Sequence, residues 1–172
     1  MGVDILIATG LDEGGGLPIN DWLAGTFSIV PRFVDEANIP VIAAGRIVDV
    51  RTARAAVALG AEGLYVGTRF LASNESPIPD KIKQLLVKAN IEDLLYMPDP
   101  SSETVRAIKT SSLSGVIKKI KTGELKGTSA LLTGMLTGDL DSGMVIADNG
   151  VSLIKNVKPI QEIVTELSEP FS

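Results

Sequence analysis

The sequence contains neither cysteine nor histidine among its 172 residues. Without cysteine, it offers no disulfide bond, no thiolate metal ligand and no thiol nucleophile. Without histidine, it also lacks the side chain that most often serves as a general base and as a metal ligand. We therefore expect no metal site, and any chemistry here must come from carboxylates, hydroxyls, backbone groups or a bound cofactor.

Aromatic residues are scarce at 4%, and no apolar run approaches the roughly 20 residues that a membrane-spanning helix needs. The first residues, MGVDIL, do not form a signal peptide. The formal net charge is −5, and no cluster of basic residues would attract nucleic acid. With 45% apolar residues, the chain suffices for one compact domain. We expect a cytoplasmic protein that acts on a small molecule and binds neither nucleic acid nor membranes.

The most informative stretch covers residues 39–70 and reads IPVIAAGRIVDVRTARAAVALGAEGLYVGTRF. Its first apolar run, rich in β-branched residues, predicts a strand over residues 39–44 that is buried in a parallel sheet. Asp49 is placed to cap a helix that ends at Gly60. A second strand is predicted over residues 64–66. The order of strand, helix and strand predicts a right-handed βαβ unit.

Each of these two strands ends at a glycine, Gly45 or Gly67. Parallel sheets bind ligands at the carboxyl ends of their strands, and adjacent glycine turns can direct several backbone N–H groups at one phosphate. The pattern therefore indicates a phosphate site like the one after strands seven and eight of an eight-stranded α/β barrel. Alternatively, the glycines only make tight turns. Arg46 either contacts the phosphate or forms a surface salt bridge.

Several segments resemble one family of flavoproteins. Residues 39–47 read IPVIAAGRI and residues 58–73 read ALGAEGLYVGTRFLAS, which are similar to the PVIAAGGI and LGAxGVQMGTRF of the nitronate monooxygenase (2-nitropropane dioxygenase) family. That family also contains the FMN-dependent enoyl-acyl-carrier-protein reductases. Residues 10–15, GLDEGG, resemble its G-x-E-x-G-G, and residues 106–109 and 138–143 resemble its C-terminal region. The resemblance covers nearly the whole chain, in order.

The resemblance implies an FMN-dependent oxidoreductase that takes electrons from NADH or NADPH and oxidises nitronates or reduces an activated double bond. No catalytic residue is assigned, because Gly16 stands where relatives with a G-G-H pattern carry a histidine. Asn149 stands where relatives often carry a glutamine. Of Asp12 and Glu13, one is expected to be solvated or to hold its loop by accepting backbone N–H bonds. The residues implied to bind FMN are Thr9, Gly14, Gly15, Ala44, Gly45, Arg46, Tyr65, Val66, Gly67 and Thr68.

For the fold, the resemblance implies an α/β chain that forms the C-terminal part of a TIM (β/α)₈ barrel, with strands resembling strands six to eight. The first strand, predicted over residues 3–8, would then have an open edge. We therefore expect a truncated chain, a split protein whose other half is separate, or a homo-oligomer that pairs its edges; three strands that fold alone are the further alternative. The second functional hypothesis is a non-catalytic remnant or interaction subunit that lacks the rest of the barrel.

Three regions follow from this interpretation: a partial barrel with the FMN phosphate turns over residues 1–76, a helical lid over residues 77–155, and a C-terminal helix that packs back on the barrel over residues 156–172. A helix is also predicted before residue 37, with Phe27, Val30 and Val34 facing the core. In the lid, helices are predicted at residues 80–89, 105–109, 113–122, 128–136 and 143–154.

Overall fold

The computed structural model describes residues 2–15, 17–18, 24–98 and 103–172. Its strands are β1 (Leu6–Thr9), β2 (Leu17–Pro18), β3 (Val41–Ala44), β4 (Gly63–Tyr65), β5 (Leu94–Pro98) and β6 (Glu103–Ile108). Its α-helices are α1 (Thr26–Glu36), α2 (Val50–Ala58), α3 (Thr68–Leu71), α4 (Asp80–Lys88), α5 (Leu113–Lys121), α6 (Gly127–Leu132) and α7 (Ile160–Ser168). Short 3₁₀ helices span Ile91–Asp93, Asn149–Leu153 and Glu169–Phe171, and a π-helical turn spans Thr133–Thr137.

A parallel sheet with the order β1-β3-β4 forms the first half of the structure. Thr9 lies opposite Ala44 and Ala44 lies opposite Tyr65, so the three strands end at the same level. Helices α1, α2 and α7 contribute side chains to the core around this sheet. The predicted βαβ unit is confirmed, and the first predicted strand is present as β1.

Helix α2 begins and ends as its sequence predicts. The Asp49 carboxylate accepts a hydrogen bond from the Thr52 N–H at 3.0 Å, and the Thr52 hydroxyl accepts one from the Asp49 N–H at 3.0 Å. This reciprocal pair satisfies two N–H groups at the start of the helix. Gly60 follows the helix with a φ of +94°, in the left-handed region where glycine is favoured.

A second sheet, antiparallel and ordered β2-β6-β5, joins two strands of the segment predicted as a lid to β2 of the first region. The helix predicted at residues 105–109 is therefore wrong: these residues belong mostly to β6, where Arg106 lies opposite Tyr96 of β5. A five-residue segment gains little as an isolated helix, whereas pairing with β5 on one side and hydrogen bonds to Gly14 and Val145 on the other satisfy its backbone groups. The segment predicted as a helical lid thus contains strands as well as helices.

The helix predicted at residues 143–154 is also wrong. Ile146 pairs with Ala107 across an isolated antiparallel bridge, and only Asn149–Leu153 forms a 3₁₀ helix. The bridge extends the hydrogen bonding of β6, and this tertiary pairing prevails over the helical spacing of the apolar residues.

Helices α4, α5 and α7 confirm the predictions for their segments, and the helix predicted at residues 128–136 appears as α6 followed by the π-helical turn. In α1, Val30 is fully buried as expected, but Phe27 is 71% exposed. Phe27 lies in the first turn of α1, where it borders a small cavity and not the core of the sheet. The assignment of Phe27 to the core is therefore wrong.

Within the described ranges, no helix has the combination of length and apolar character that crossing a bilayer requires.

Candidate functional site

A cavity of about 440 Å³ lies at the level where β3 and β4 end. Both glycine turns border it, together with the loop after β1 and the segment that pairs with β6. Such a position, outside the carboxyl ends of parallel strands, is where open α/β sheets bind ligands. The larger aliphatic residues that line it are Ile47, Leu71, Val105, Leu131, Met144 and Ile146.

The two glycine turns approach this cavity with their backbones. Gly45 has a φ of +100°, and a Cβ atom there would lie 2.9 Å from the hydroxyl oxygen of Thr26. The Thr26 hydroxyl donates a hydrogen bond to the Gly45 carbonyl at 3.1 Å, which fixes the turn. A Cβ atom at Gly67 would meet nothing within 4 Å. Among the described residues, none accepts a hydrogen bond from the backbone N–H of Gly67 or Thr68, so these donors are available to an anion.

Two acidic residues, Glu13 and Asp148, line the same cavity. Asp148 is 6% exposed; its backbone N–H donates to the Thr68 hydroxyl oxygen at 3.0 Å, and its Oδ1 accepts from the Gly150 N–H at 2.7 Å. Burial raises the pKa of Asp148 to about 6, because a buried carboxylate loses hydration. Burial also raises the pKa of Glu13 against the attraction of Arg106, and the neighbouring Asp148 adds to the rise.

Arg106 holds the loop after β1 beside the cavity. Its buried guanidinium donates to the carbonyl of Leu11 at 2.8 Å and to that of Glu13, and it lies over the Tyr96 ring at 5.5 Å from the centroid. The Arg106 backbone N–H donates to the Gly14 carbonyl at 2.8 Å. One residue of β6 thus binds three carbonyls of the glycine-rich loop.

Asp12 ties the same loop to α1. Its carboxylate accepts from the Thr26 N–H at 2.9 Å and from the Asn149 side-chain amide at 3.2 Å. Burial alone would raise the pKa of Asp12, but these hydrogen bonds lower it below its usual value. The prediction that Asp12 or Glu13 holds the loop by accepting a backbone N–H bond is confirmed for Asp12. Asn149, which stands where relatives often carry a glutamine, donates to Asp12.

Most of the residues predicted to bind FMN border this cavity, namely Gly14, Gly15, Ala44, Gly45, Tyr65, Gly67 and Thr68. Thr9 is paired with Ala44 in the sheet, and Val66 borders a shallow groove beside α7. Arg46 is exposed, has a φ of +60°, and borders a second cavity of about 360 Å³ together with Asp12. Gly16 lies outside the described residues. The contact of these residues with FMN stays a prediction.

The second cation near this strand end, Arg69, is buried and does not line the cavity. Its guanidinium donates to the carbonyls of Ala72 at 3.2 Å and Asn156 at 3.0 Å. Sequence reasoning missed Arg106 and Asp148 as site residues. The signal for Asp148 is a single acid directly after the apolar residues 144–147. No comparable signal distinguishes Arg106 from other cations.

In the part of the chain that the structure describes, no group of three or more carboxylates is placed to hold a metal ion. The groups that the site offers to a ligand are apolar side chains, backbone N–H groups and two acids.

Known proteins resemble this chain along almost its whole length. The family model for nitronate monooxygenase matches residues 1–169. A probable nitronate monooxygenase of Staphylococcus aureus (strain JH9) is 36% identical over 113 residues, which are 62% of this chain and 32% of that protein.

Solved structures give the same result. FabK from Thermotoga maritima is 33% identical with a TM-score of 0.87, over 99% of this chain and 55% of the FabK chain. Nitroalkane oxidase from Streptomyces ansochromogenes shares the fold, with a TM-score of 0.79 at 22% identity over 98% of this chain and 52% of that one. The expected α/β fold is thus confirmed. The chain spans about a third of the length of the curated relative and about half of the FabK chain. On the match of the family model to residues 1–169, the chain belongs to the nitronate monooxygenase family.

Proposed function

We propose that this chain provides the FMN phosphate site of an oxidoreductase of the nitronate monooxygenase family. The observation that carries the proposal is that the turns at Gly45 and Gly67, which follow adjacent parallel strands, border one cavity. A phosphate held there would meet the backbone of both turns at once.

The residues fit an FMN phosphate in three respects. The N–H groups of Gly67 and Thr68 lack acceptors within the described residues, and an anion would satisfy them. The space that a Cβ atom would take at Gly67 is open, so a ligand can approach the backbone closely. The turn at Gly45 is held by the Thr26 hydroxyl and needs no ligand to form.

When bound, FMN accepts hydride from NADH or NADPH and passes electrons to oxygen or to an activated double bond. The chain itself binds and orients. The turns would bind the phosphate, Gly14 and Gly15 border the cavity without side chains, and the apolar residues, among them Met144 and Ile146, exclude water. Nitronates and activated alkenes are the proposed substrates, since both suit an apolar cavity beside a flavin.

We further propose that β1, β3 and β4 correspond to strands six to eight of a TIM barrel. The similarity to FabK over about half of the FabK chain supports this assignment. So does the exposure of Ile5, Ile7 and Tyr65, which would be covered if the sheet continued with strands from a separate half or from a second copy.

Titration of the full chain with FMN, followed by flavin fluorescence and by the melting temperature, tests the proposal. Binding should raise the melting temperature, because a ligand that binds only the folded state stabilises it. Gly67→Ala should weaken FMN binding by about tenfold or more, since the added methyl group takes the space that the phosphate needs.

The matched control is Gly115→Ala in α5, where a Cβ atom also meets nothing within 4 Å. It should leave the affinity for FMN unchanged. If the native protein, together with any partner that copurifies with it, shows no affinity for FMN, the proposal is wrong and a non-catalytic role takes its place.

A further inference from the structure

The charged side chains that line the cavity are acidic. Among the described residues, Glu13 and Asp148 border the cavity and no lysine or arginine does. An anion at the two turns would therefore be held by backbone N–H groups, with carboxylates as its charged neighbours. Ionised carboxylates repel a phosphate ester, and the repulsion is strong where burial reduces screening by water and salt.

Asp148 is the acid tied to the phosphate turn itself. Its backbone N–H donates to the Thr68 hydroxyl, and Thr68 directly follows Gly67. Its Oδ1 is occupied by the Gly150 N–H at 2.7 Å. The Gly150 N–H therefore holds the carboxyl group, and the Thr68 hydroxyl holds the backbone that carries it, so that the acid stays beside the turn.

We propose that Asp148 couples the binding of a phosphate ester at the Gly45 and Gly67 turns to the uptake of one proton from solvent, so that the preference of the cavity for FMN over riboflavin depends on pH. This inference rests on the proposed function, because it concerns the same cavity. An ionised Asp148 opposes the phosphate. A protonated Asp148 carries no charge and gains an O–H donor that can bind a phosphate oxygen.

The charged groups around Asp148 do not cancel its repulsion of a phosphate. From β6, Arg106 attracts it, but the guanidinium is already bound by the carbonyls of Leu11 and Glu13. From the loop after β1, Asp12 and Glu13 add negative charge.

The buried cations of the two helices next to this segment bind elsewhere. On α3, Arg69 donates to the carbonyls of Ala72 and Asn156. On α4, Lys83 donates to the Asn74 carbonyl at 3.0 Å. Because burial raises the pKa of Asp148 to about 6, the carboxyl group changes charge within a range where the folded protein can be studied.

The test compares the dissociation constants of FMN and riboflavin for the native protein, Asp148→Asn and Glu13→Gln between about pH 5.5 and pH 8. Asparagine keeps an oxygen acceptor for the Gly150 N–H but has no charge. Asp148→Asn should bind FMN about tenfold more tightly than the native protein at pH 8, and the two should converge at the acidic end. The ratio between the two proteins removes the titration of the phosphate itself, whose second pKa is about 6.

Riboflavin, which has no phosphate, should bind the native protein and Asp148→Asn equally at every pH. Glu13→Gln should change FMN binding less than Asp148→Asn, because only Asp148 is attached to Thr68. A ratio of FMN constants that does not vary with pH, or an equal change for riboflavin, overturns the proposal.

Inorganic phosphate separates this proposal from the proposed function. If neither protein binds FMN but phosphate binds Asp148→Asn more tightly at pH 8, the proposed function is wrong and the role of Asp148 stands. If neither ligand binds either protein, both are wrong. Should Asp148→Asn fail to fold, carbon NMR of the Asp148 carboxyl in the native protein decides: added phosphate should raise its titration midpoint, and an unchanged midpoint overturns the proposal.

Discussion

The glycine turns and the acidic residues of the cavity are built in different ways. The turns at Gly45 and Gly67 belong to one βαβ unit, and the strands that position them are hydrogen-bonded neighbours. Glu13 and Asp148 come from segments far apart in the chain, and Arg106 of β6 links both segments. Its guanidinium binds the Glu13 carbonyl, and its own carbonyl accepts a hydrogen bond from the Ala147 N–H at 3.1 Å. Backbone donors are thus set by local structure, whereas the charges beside them depend on long-range packing.

This difference means that the two parts of the site should respond differently to substitution. A substitution in a turn should destabilise mainly the strand and helix that the turn connects, because these elements are continuous in the chain. Damage to the acidic side should spread to the loop after β1, because that loop is held from β6.

The largest effect is expected from Gly45→Val. The valine Cβ would lie 2.9 Å from the Thr26 hydroxyl oxygen and 3.2 Å from the Gly10 carbonyl oxygen, at a φ that β-branched residues avoid. We expect the free energy of unfolding to fall by about 3 kcal/mol. Urea unfolding measures this, with Gly67→Ala as the control that should change stability by less than about 0.5 kcal/mol. Equal losses in the two variants would contradict the distinct roles of the turns.

A smaller loss is expected from Arg106→Met, which leaves the carbonyls of Leu11 and Glu13 without their donor. The expected decrease in the free energy of unfolding is about 2 kcal/mol. Hydrogen exchange should show faster exchange at the Glu13 and Gly14 amides.

Arg106→Lys is the matched variant for this position. It keeps the charge but not the planar fork, so it should recover less than half of the loss. Full recovery by lysine would show that charge, and not the pair of carbonyl contacts, holds the loop.

The smallest effect is the dependence of stability on pH. The pKa of Asp148 is about 6 in the folded protein and 3.8 in its ordinary state, so folding is opposed when the carboxylate is ionised. The free energy of unfolding should therefore rise as the pH falls from about 8 to about 5, by about 1 kcal/mol. Glu13, whose pKa is also raised, acts in the same direction.

Two further acids, Asp12 and Asp49, do not act in this window. The pKa values of Asp12 and Asp49 are lowered, so their stabilising contributions are lost only when the pH falls below their ordinary range. Urea unfolding of Asp148→Asn across the same window should show a flatter profile than the native protein. Identical slopes would show that Asp148 does not carry the effect.

The parallel unit could be predicted from the sequence because its signals are local. Asp49, Gly60 and the two strand-ending glycines each determine the conformation of their own few residues. The pairing of β5 with β6 could not be predicted, since a short segment takes its structure from its partners. Ala107, for example, pairs with Leu95 of β5 and with Ile146 across the isolated bridge. Its own composition does not identify either of them.

The candidate site divides in the same way. Gly45 and Gly67 can be predicted as site residues because each directly follows a predicted strand. Asp148 and Arg106 lie 42 residues apart, and they come close to Glu13 only when the second sheet packs against the loop after β1, where Arg106 binds the Glu13 carbonyl. The assignment of Phe27 to the core was wrong for a related reason. Helical spacing shows which face of α1 is apolar, but it does not show where the sheet beneath that face ends.

Gly45 borders both the large cavity and the smaller one that Arg46, Phe27 and Ala56 line on the helical side. The turn at Gly45 thus lies between two cavities. Replacing Ala56 with a larger residue would fill the smaller cavity and restrict the motion of the Gly45 turn. The affinity for a ligand in the larger cavity would then depend on a residue that the ligand never contacts.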